Sequence, residues 1–353
     1  MNKLLVICGP TATGKTKLAL HLAKELTSDK KGLGLKGELV SADSRQIYKG
    51  LDIGTGKDIP KNAKFIVPRG KRGLKLGGYY QVGQAKIWGY DLTGPKQEFS
   101  VAQYVKIADE IIKDIWSRNK IPILVGGTGL YIKAIVDGIP TISISKNIRL
   151  RKSLEKKKRA ELFEILARIG PMKAAAMNYS DKRNPRRLVR AIEVAQWELK
   201  NKLKEDDSRK RFSTLIIGLK IEKRVLVERI NKRVKARVEM GLEKEIERLF
   251  KQGVTWKHQS MESLGYKQWK DYFEKYSSLK MTIPERKIDR EKVMKKWEKE
   301  EGRYSKKQMT WFRRDKRIKW FDIASPGWQK NVVKLAKEWY KSEGALNSDA
   351  KKN

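Results

Sequence analysis

The 353 residues carry 81 Lys and Arg against 41 Asp and Glu, a formal net charge of +40, with 39% apolar content. That length and apolar share suffice for a real core spread over about two or three compact units, which excludes a disordered or fibrous chain. The single cysteine, Cys8, excludes a disulfide framework and Cys-rich zinc sites, and so large a positive excess points to a polyanionic partner, nucleic acid first, because each neutralised phosphate releases condensed counterions.

Met1 leads directly into the apolar run Leu4-Leu5-Val6-Ile7-Cys8, with no basic segment or leader-like apolar stretch ahead of it. No apolar run approaches the ~18 residues of a membrane span. The expectation is a cytoplasmic protein without a membrane segment, with Cys8 as core packing in a reducing compartment.

Gly9-Pro10-Thr11-Ala12-Thr13-Gly14-Lys15-Thr16 follows that run and precedes Leu18, Ala19, Leu22, Ala23 and Leu26 at helical spacing. Strand, glycine-bounded loop and helix in this order meet the structural context that the GxxxxGK[ST] phosphate-binding pattern requires. Gly9 and Gly14 let successive N–H groups face one concavity, and the helix start adds partial positive charge. Lys15 supplies an ammonium for a terminal phosphate, and Thr16 a hydroxyl for a magnesium shell.

A short basic, glycine-containing loop is expected from Lys30 to Gly37, then a second strand opening Glu38-Leu39-Val40-Ser41-Ala42-Asp43-Ser44-Arg45-Gln46-Ile47-Tyr48. Its polar end lies at the carboxyl edge of a parallel sheet, where ligands bind, so Asp43 and Ser44 are expected to face the same crevice as the P-loop. An Asp at a strand end is by itself more often a helix cap than a base. Leu51-Asp52-Ile53-Gly54-Thr55-Gly56-Lys57 offers a further phosphate or nucleotide contact, and Ile59 to Tyr90 reads as irregular, with a β-like alternation around Tyr79 to Trp88. Ser100 caps an amphipathic helix running to Trp116, and Ile121 to Val125 is a third buried strand ending in Gly126-Gly127-Thr128-Gly129-Leu130-Tyr131. Three loops then converge on one crevice.

Between Lys146 and Arg211 strands are absent from the pattern and Lys and Arg far outnumber Asp and Glu. Asn184 and Pro185 open the best-defined helix there, and Arg183, Arg186, Arg187 and Arg190 are dense enough to grip phosphates. Phe212 to Ile221 returns the chain to the sheet as a fourth strand, so the helical lobe is an insertion. Arg229, Arg233 and Arg237 share a face of the helix Arg224 to Val238, and Leu242 to Phe250 is amphipathic. Met281 to Trp311 reads as a long charged helix interrupted by Gly302, Ile318 to Asp322 as a last edge strand, and the stretch from Glu343 as a disordered tail. The fold class is α/β, a P-loop NTPase-like parallel sheet with an inserted basic helical lobe and a helical C-terminal region. The expected divisions are 1–140 (first part of the core), 141–211 (inserted lobe), 212–325 (last core strand and helices) and 326–353 (terminal helix and tail).

The motifs GPTATGKT (Gly9 to Thr16), SADSRQIY (Ser41 to Tyr48), LDIGTGK (Leu51 to Lys57), GGTGLY (Gly126 to Tyr131), NPRRLVRAIEV (Asn184 to Val194), LGYK (Leu264 to Lys267) and QMTWFR (Gln308 to Arg313) occur in an order that resembles the tRNA dimethylallyltransferases, over about residues 1 to 322. The resemblance implies transfer of a dimethylallyl group from its diphosphate to N6 of the adenosine 3′ of the tRNA anticodon. It implies Asp43 as the residue that binds the adenine amino group and accepts its proton, and Thr128 as a catalytic-site hydroxyl. Lys15, Thr16 and Arg233 then match diphosphate-binding positions beside the P-loop, with Mg²⁺ between them and Thr16 as its protein ligand. Contacts to the tRNA anticodon stem-loop correspond to Asp43, Ser44, Arg45, Gln46, Thr128, Arg149, Arg186, Arg187, Leu188, Val189, Arg190, Glu262, Ser263, Leu264, Gly265, Tyr266 and Lys267. No zinc finger of the eukaryotic kind is present, so the likeness is to the bacterial type, here expected as a monomer. The chain departs from the pattern at Trp88-Gly89-Tyr90-Asp91-Leu92, where His-His-Leu-Ile-Asp is usual, and in a longer, more basic stretch from Ile59 to Ile87.

The residues alone also admit a small-molecule P-loop kinase, a prenyltransferase of free adenine nucleotides, and an RNA-binding protein with a degenerate P-loop. The first leaves the basic lobe unexplained, the second does not need the basic C-terminal helices, and intact Lys15, Thr16, Asp43 and Thr128 argue against the third.

Overall fold

The computed structural model describes residues 2–26, 37–60, 62–69, 76–201, 212–278 and 283–342. The expected loop before Gly37 and the tail from Glu343 lie outside the described residues. The chain divides into two compact units, Met1–Val136 with Arg211–Asn353, and Asp137–Lys210.

The first unit is built on a sheet of eight strands: β1 Lys3–Cys8, β2 Gly37–Ser41, β3 Lys64–Ile66, β4 Tyr79–Val82, β5 Ala85–Trp88, β6 Ile121–Val125, β7 Ser213–Lys220 and β8 Lys319–Asp322. Their order is β3-β4-β5-β2-β6-β1-β7-β8, and the pairs from β5 to β8 are parallel. β1 is wholly buried and alternates its side chains between two cores: Leu4, Val6 and Cys8 on one face, Leu5 and Ile7 on the other. A central parallel strand covered on both sides is a continuous apolar run for this reason. Burial pushes the Cys8 thiol up to about 12, so it packs as an inert apolar group.

Helices α1 Lys15–Glu25, α2 Val101–Ser117, α3 Gly129–Val136, α9 Lys223–Glu239, α10 Leu242–Lys251, α11 Lys270–Ser278, α12 Ile283–Phe312 and α13 Trp328–Ser342 belong to this unit. Leu18, Leu22 and Val332 close one face of the sheet, while Tyr104, Ile230, Ile246 and Trp297 close the other. Ser100 and Gln103 form a reciprocal capping box at the start of α2. The chain leaves β1 for β2 on one side and later crosses from β6 past β1 to β7 on the other. The strand order therefore reverses beside β1, and the loop after β1 opens at the switch point where parallel sheets bind ligands.

Two expectations change. The β-like alternation from Tyr79 to Trp88 is β4 and β5, and the stretch before it, read as irregular, adds β3, the three forming an antiparallel extension joined to β2. These strands span three or four residues and are largely half-exposed, so they lack the long apolar run of the central strands. The two-residue turn Gly83-Gln84, with Gly83 at φ 57°, links β4 to β5. The long helix α12 is continuous through Gly302, because neighbouring turns and packing of its buried face outweigh the ~1 kcal/mol propensity loss of one glycine.

The second unit holds α4 Ile148–Glu155, α5 Arg159–Ile169, α6 Pro171–Ala176, α7 Tyr179–Lys182 and α8 Pro185–Lys200. Asn184 caps α8 by accepting the N–H groups of Arg186 and Arg187, with Pro185 in the first turn. Leu154, Leu162, Leu166, Leu188 and Ile192 make its core.

Candidate active site

The loop after β1 turns because Gly9 adopts φ 136°, and a Cβ there would lie 2.6 Å from the Leu219 carbonyl oxygen. Ala12 at φ 61° holds a left-handed conformation that alanine rarely adopts. The Thr13 hydroxyl and the Lys15 ammonium both donate to the Pro10 carbonyl, at 2.9 and 2.7 Å. No side chain caps α1, so its first amides face the cleft with their partial positive charge. Burial, with Arg233 adding like-charge repulsion, lowers the Lys15 ammonium to about 8.

Two further loops meet this one. Asp43 ends the segment after β2, and its Oδ1 accepts the Arg45 N–H at 2.9 Å. The carboxylate thus caps its own turn and also lines the cleft. Thr128, after β6, accepts the Ser44 N–H at 3.0 Å on its hydroxyl oxygen and bonds to the Ser44 hydroxyl at 3.4 Å. Tyr304 of α12 hydrogen-bonds Thr128, and burial first, then the Asp43 charge, raises its phenol.

Arg233 of α9 donates to the Thr11 hydroxyl at 3.0 Å and to the Gly56 carbonyl at 3.2 Å, and pairs with Asp58 at 2.9 Å. Arg229, Lys232 and Arg237 line the same wall. The 51–57 loop is held open by the buried Glu245, which accepts the N–H groups of Asp52, Ile53 and Gly54 at 3.1, 3.0 and 3.2 Å. Lys57 is not a phosphate contact: it is fully buried, donating to the Tyr48 carbonyl at 2.6 Å and pairing with Asp52 and Asp91. The open cleft measures about 1140 Å³, enough for a small diphosphate and a nucleobase together.

Helix α12 forms the remaining wall with a stripe that the chain-order reading missed. Trp297, Glu301, Tyr304, Gln308 and Trp311 recur at alternating four- and three-residue spacing, so they share one helix face. Gln308 accepts the Thr11 N–H at 2.9 Å and donates to the Gly127 carbonyl at 3.0 Å. A Cβ on Gly127 would lie 2.2 Å from the Gln308 amide nitrogen, and one on Gly129 would lie 2.1 Å from the Trp311 ring. The glycines of the Gly126 to Gly129 loop admit this helix. Its spacing was the available signal, hidden among lysines and glutamates.

Several expected contacts do not have the side chain to make them. Ser263 and Tyr266 are fully buried, donating to the Ser260 carbonyl and to Glu245, and Gly265 is buried at φ 93°. Glu262, Leu264 and Lys267 do reach the cleft. Gln46 lines it too, while donating to the Gly56 carbonyl at 2.9 Å. In the second unit Leu188 is a core residue, and Val189 packs against that core. Arg190 serves the lobe's own structure, donating to the Thr141 and Ile144 carbonyls at 2.7 and 3.0 Å. Arg149, Arg186 and Arg187 are exposed, and Arg187 pairs with Asp181.

The IPP transferase family model matches residues 79–315. A tRNA dimethylallyltransferase of Halothermothrix orenii is 36% identical over 352 residues, 96% of this chain and 94% of its own. That of Anoxybacillus flavithermus is 35% identical over 325 residues, 91% of each chain. Among solved structures, the full-length tRNA isopentenylpyrophosphate transferase of Bacillus halodurans superposes with a TM-score of 0.64 at 30% identity, covering 99% of this chain and 100% of its own. A eukaryotic dimethylallyltransferase acting on tRNA, at 19% identity and a TM-score of 0.70 over 97% of this chain and 80% of its own, shares the fold. The agreement is nearly full-length in both sequence and structure, and the chain belongs to the IPP transferase family.

Proposed function

We propose that the protein transfers a dimethylallyl group from dimethylallyl diphosphate to N6 of the adenosine 3′ of the anticodon in tRNA, releasing diphosphate. The observation that carries this reading is a single cleft in which a phosphate-binding loop faces a carboxylate, Asp43, and a hydroxyl, Thr128, that a diphosphate alone would not need.

An exocyclic adenine amine is a poor nucleophile because its lone pair is delocalised into the ring. Asp43 accepts its proton as the N6–C bond forms, and Thr128, held against Ser44, orients the base. The allylic C–O bond breaks toward the diphosphate, whose growing negative charge Lys15, Arg233 and the first amides of α1 stabilise. A Mg²⁺ ion would be held by the Thr16 hydroxyl together with the diphosphate oxygens. These hard oxygen donors suit it, and it would add charge stabilisation for the leaving group. Among the described residues no cluster of three His, Cys, Asp or Glu side chains offers a metal cage, in keeping with a cation carried largely by its substrate. The adenosine must leave the loop stack, at a cost of a few kcal/mol, and exposed Arg149, Arg186 and Arg187 with Glu262 and Lys267 are the groups assigned to hold the RNA.

The test is to incubate the protein with Mg²⁺, labelled dimethylallyl diphosphate and either tRNA or adenosine monophosphate, then digest and separate the nucleosides. N6-dimethylallyladenosine from the tRNA alone is expected. Label in neither acceptor refutes the reading, and label only in the mononucleotide reassigns the acceptor.

A further inference from the structure

A chain of four polar side chains, three of them buried, lines the cleft beside the P-loop. Arg237 and Glu301 are 5% and 6% exposed, and Nη1 of the arginine stands 3.9 Å from Oε1 of the glutamate. Arg237 also lies over the Trp297 ring, 5.7 Å from its centroid, and reaches the Gly54 carbonyl at 3.4 Å. Glu301 accepts the Trp297 indole N–H at 3.2 Å and the Thr11 hydroxyl at 3.2 Å. Thr11 in turn accepts from Arg233 at 3.0 Å.

The polarity of that chain is forced by its members. A carboxylate only accepts, a guanidinium only donates, and a hydroxyl has one proton to give. Thr11 must therefore point its proton at Glu301 and its lone pairs at Arg233. The Thr11 main chain cannot drift, because its N–H is bonded to Gln308. Arg233 is thus held through Nη1 by Thr11, while Nη2 donates to the Gly56 carbonyl at 3.2 Å and pairs with Asp58, whose side chain is 67% exposed. An exposed ion pair is weak and screened, so an arriving anion can replace Asp58 without disturbing the buried contact.

A carboxylate so close to an anion site would repel the ligand if it stood alone. Arg237 cancels it: burial and the neighbouring Arg233 lower its guanidinium only to about 10, so it stays charged at neutral pH. The pair gives direction to Thr11 with little net charge.

We infer that Glu301 is a positioning residue for the diphosphate, holding the Thr11 hydroxyl so that Arg233 is aimed into the cleft, with Arg237 as its neutralising partner. This rests on the diphosphate reading above. It extends that reading to a residue of the C-terminal helix that acts through Thr11 and Arg233.

The experiment compares two double variants that both remove the buried charge pair, Glu301→Gln with Arg237→Met and Glu301→Ala with Arg237→Met. Binding of dimethylallyl diphosphate is read by calorimetry, and tRNA binding by a separate titration. The Gln form keeps an acceptor for Thr11 and is the reference for binding of the diphosphate, because the loss of Arg237 from the cleft wall is common to both variants. The Ala form is expected to bind the diphosphate about tenfold more weakly, the loss of one hydrogen bond serving a charged group, with tRNA affinity the same in both. Equal diphosphate affinity in the two variants overturns the inference. Thr11→Val in the unmodified background keeps the test open should either double variant misfold: it is expected to show the same tenfold loss, and no loss overturns the inference. If the unmodified protein itself binds no dimethylallyl diphosphate, the functional reading falls, an outcome distinct from equal variants.

Discussion

The side-chain oxygen of Gln308 accepts the Thr11 N–H at 2.9 Å, so a residue 297 positions further along the chain braces the loop after β1. The amide of the same side chain donates to the Gly127 carbonyl at 3.0 Å, and one residue thereby joins the loops after β1 and β6. Gln308→Ala leaves a buried donor and a buried acceptor without partners, at about 1–3 kcal/mol each. The expected outcome is faster hydrogen exchange at the Thr11 amide and weaker diphosphate binding. Gln308→Glu keeps the acceptor for Thr11 but cannot donate to Gly127, so it should protect the amide while still loosening the second loop.

Asp43 caps its own turn as well as facing the cleft, so the informative change is Asp43→Asn. Asparagine retains an oxygen for the Arg45 N–H but cannot take a proton at neutral pH. Single-turnover prenylation should slow by about 10²–10⁴-fold, the usual worth of a positioned base, with tRNA affinity and melting temperature unchanged. A variant that loses affinity and folding together would make Asp43 a cap alone.

Burial first, then the Arg233 charge, lower the Lys15 ammonium to about 8. A bound diphosphate favours the charged form and raises that value, so binding near pH 8 takes up protons, and affinity falls as pH rises above about 8. Calorimetry of dimethylallyl diphosphate in two buffers of different ionisation enthalpy reads the uptake directly. Lys15→Met should abolish the part of it due to this group and weaken binding at every pH.

Arg187 and Leu188 are neighbours with opposite roles. Arg187 is exposed, and its removal should reduce the slope of log affinity for tRNA against log salt by about one. Leu188 is fully buried, and Leu188→Ala should cost the lobe about 2–5 kcal/mol. Salt titration of binding and thermal melting separate the two.

Glu38 is buried at the start of β2, where burial opposes its charge but hydrogen bonds from Arg118, Lys120 and Trp88 outweigh that and lower it to about 2. A folded value below the unfolded one contributes stability that is complete above the ordinary glutamate range of about 4.3 and is lost as pH falls toward 2. Acid unfolding followed by circular dichroism should shift to higher pH in Arg118→Ala, which removes two of the hydrogen bonds, at 2.6 and 2.8 Å.

The parts of the fold readable in sequence are those where a local rule is strict. The apolar runs of β1, β6 and β7 declare buried parallel strands, Asn184-Pro185 declares a helix start, and Gly9 to Thr16 declares a phosphate loop. β4 and β5 show in the alternation from Tyr79 to Trp88, but β3 escaped because a three-residue exposed edge strand carries no such run and is a strand only through pairing with β4. The Leu51 to Lys57 loop reads as a phosphate contact in sequence because it is glycine-rich; Gly54, Thr55 and Gly56 line the cleft, and Lys57 does not. Only the fold reveals two carboxylates and a carbonyl consuming its protons.

Sequence alone determined a glycine-bounded loop between strand and helix, a second loop bearing Asp43, a third bearing Thr128, and a basic inserted lobe, because each is written in a few adjacent residues under strict backbone or charge requirements. Tertiary structure decided which side chains stand around the cleft. Glu301, Tyr304, Gln308 and Arg237 line it, while Ser263 and Tyr266 are buried in the core instead. Those assignments depend on which face of a helix packs against loops hundreds of residues distant, and burial of that kind belongs to the assembled core and to no local segment.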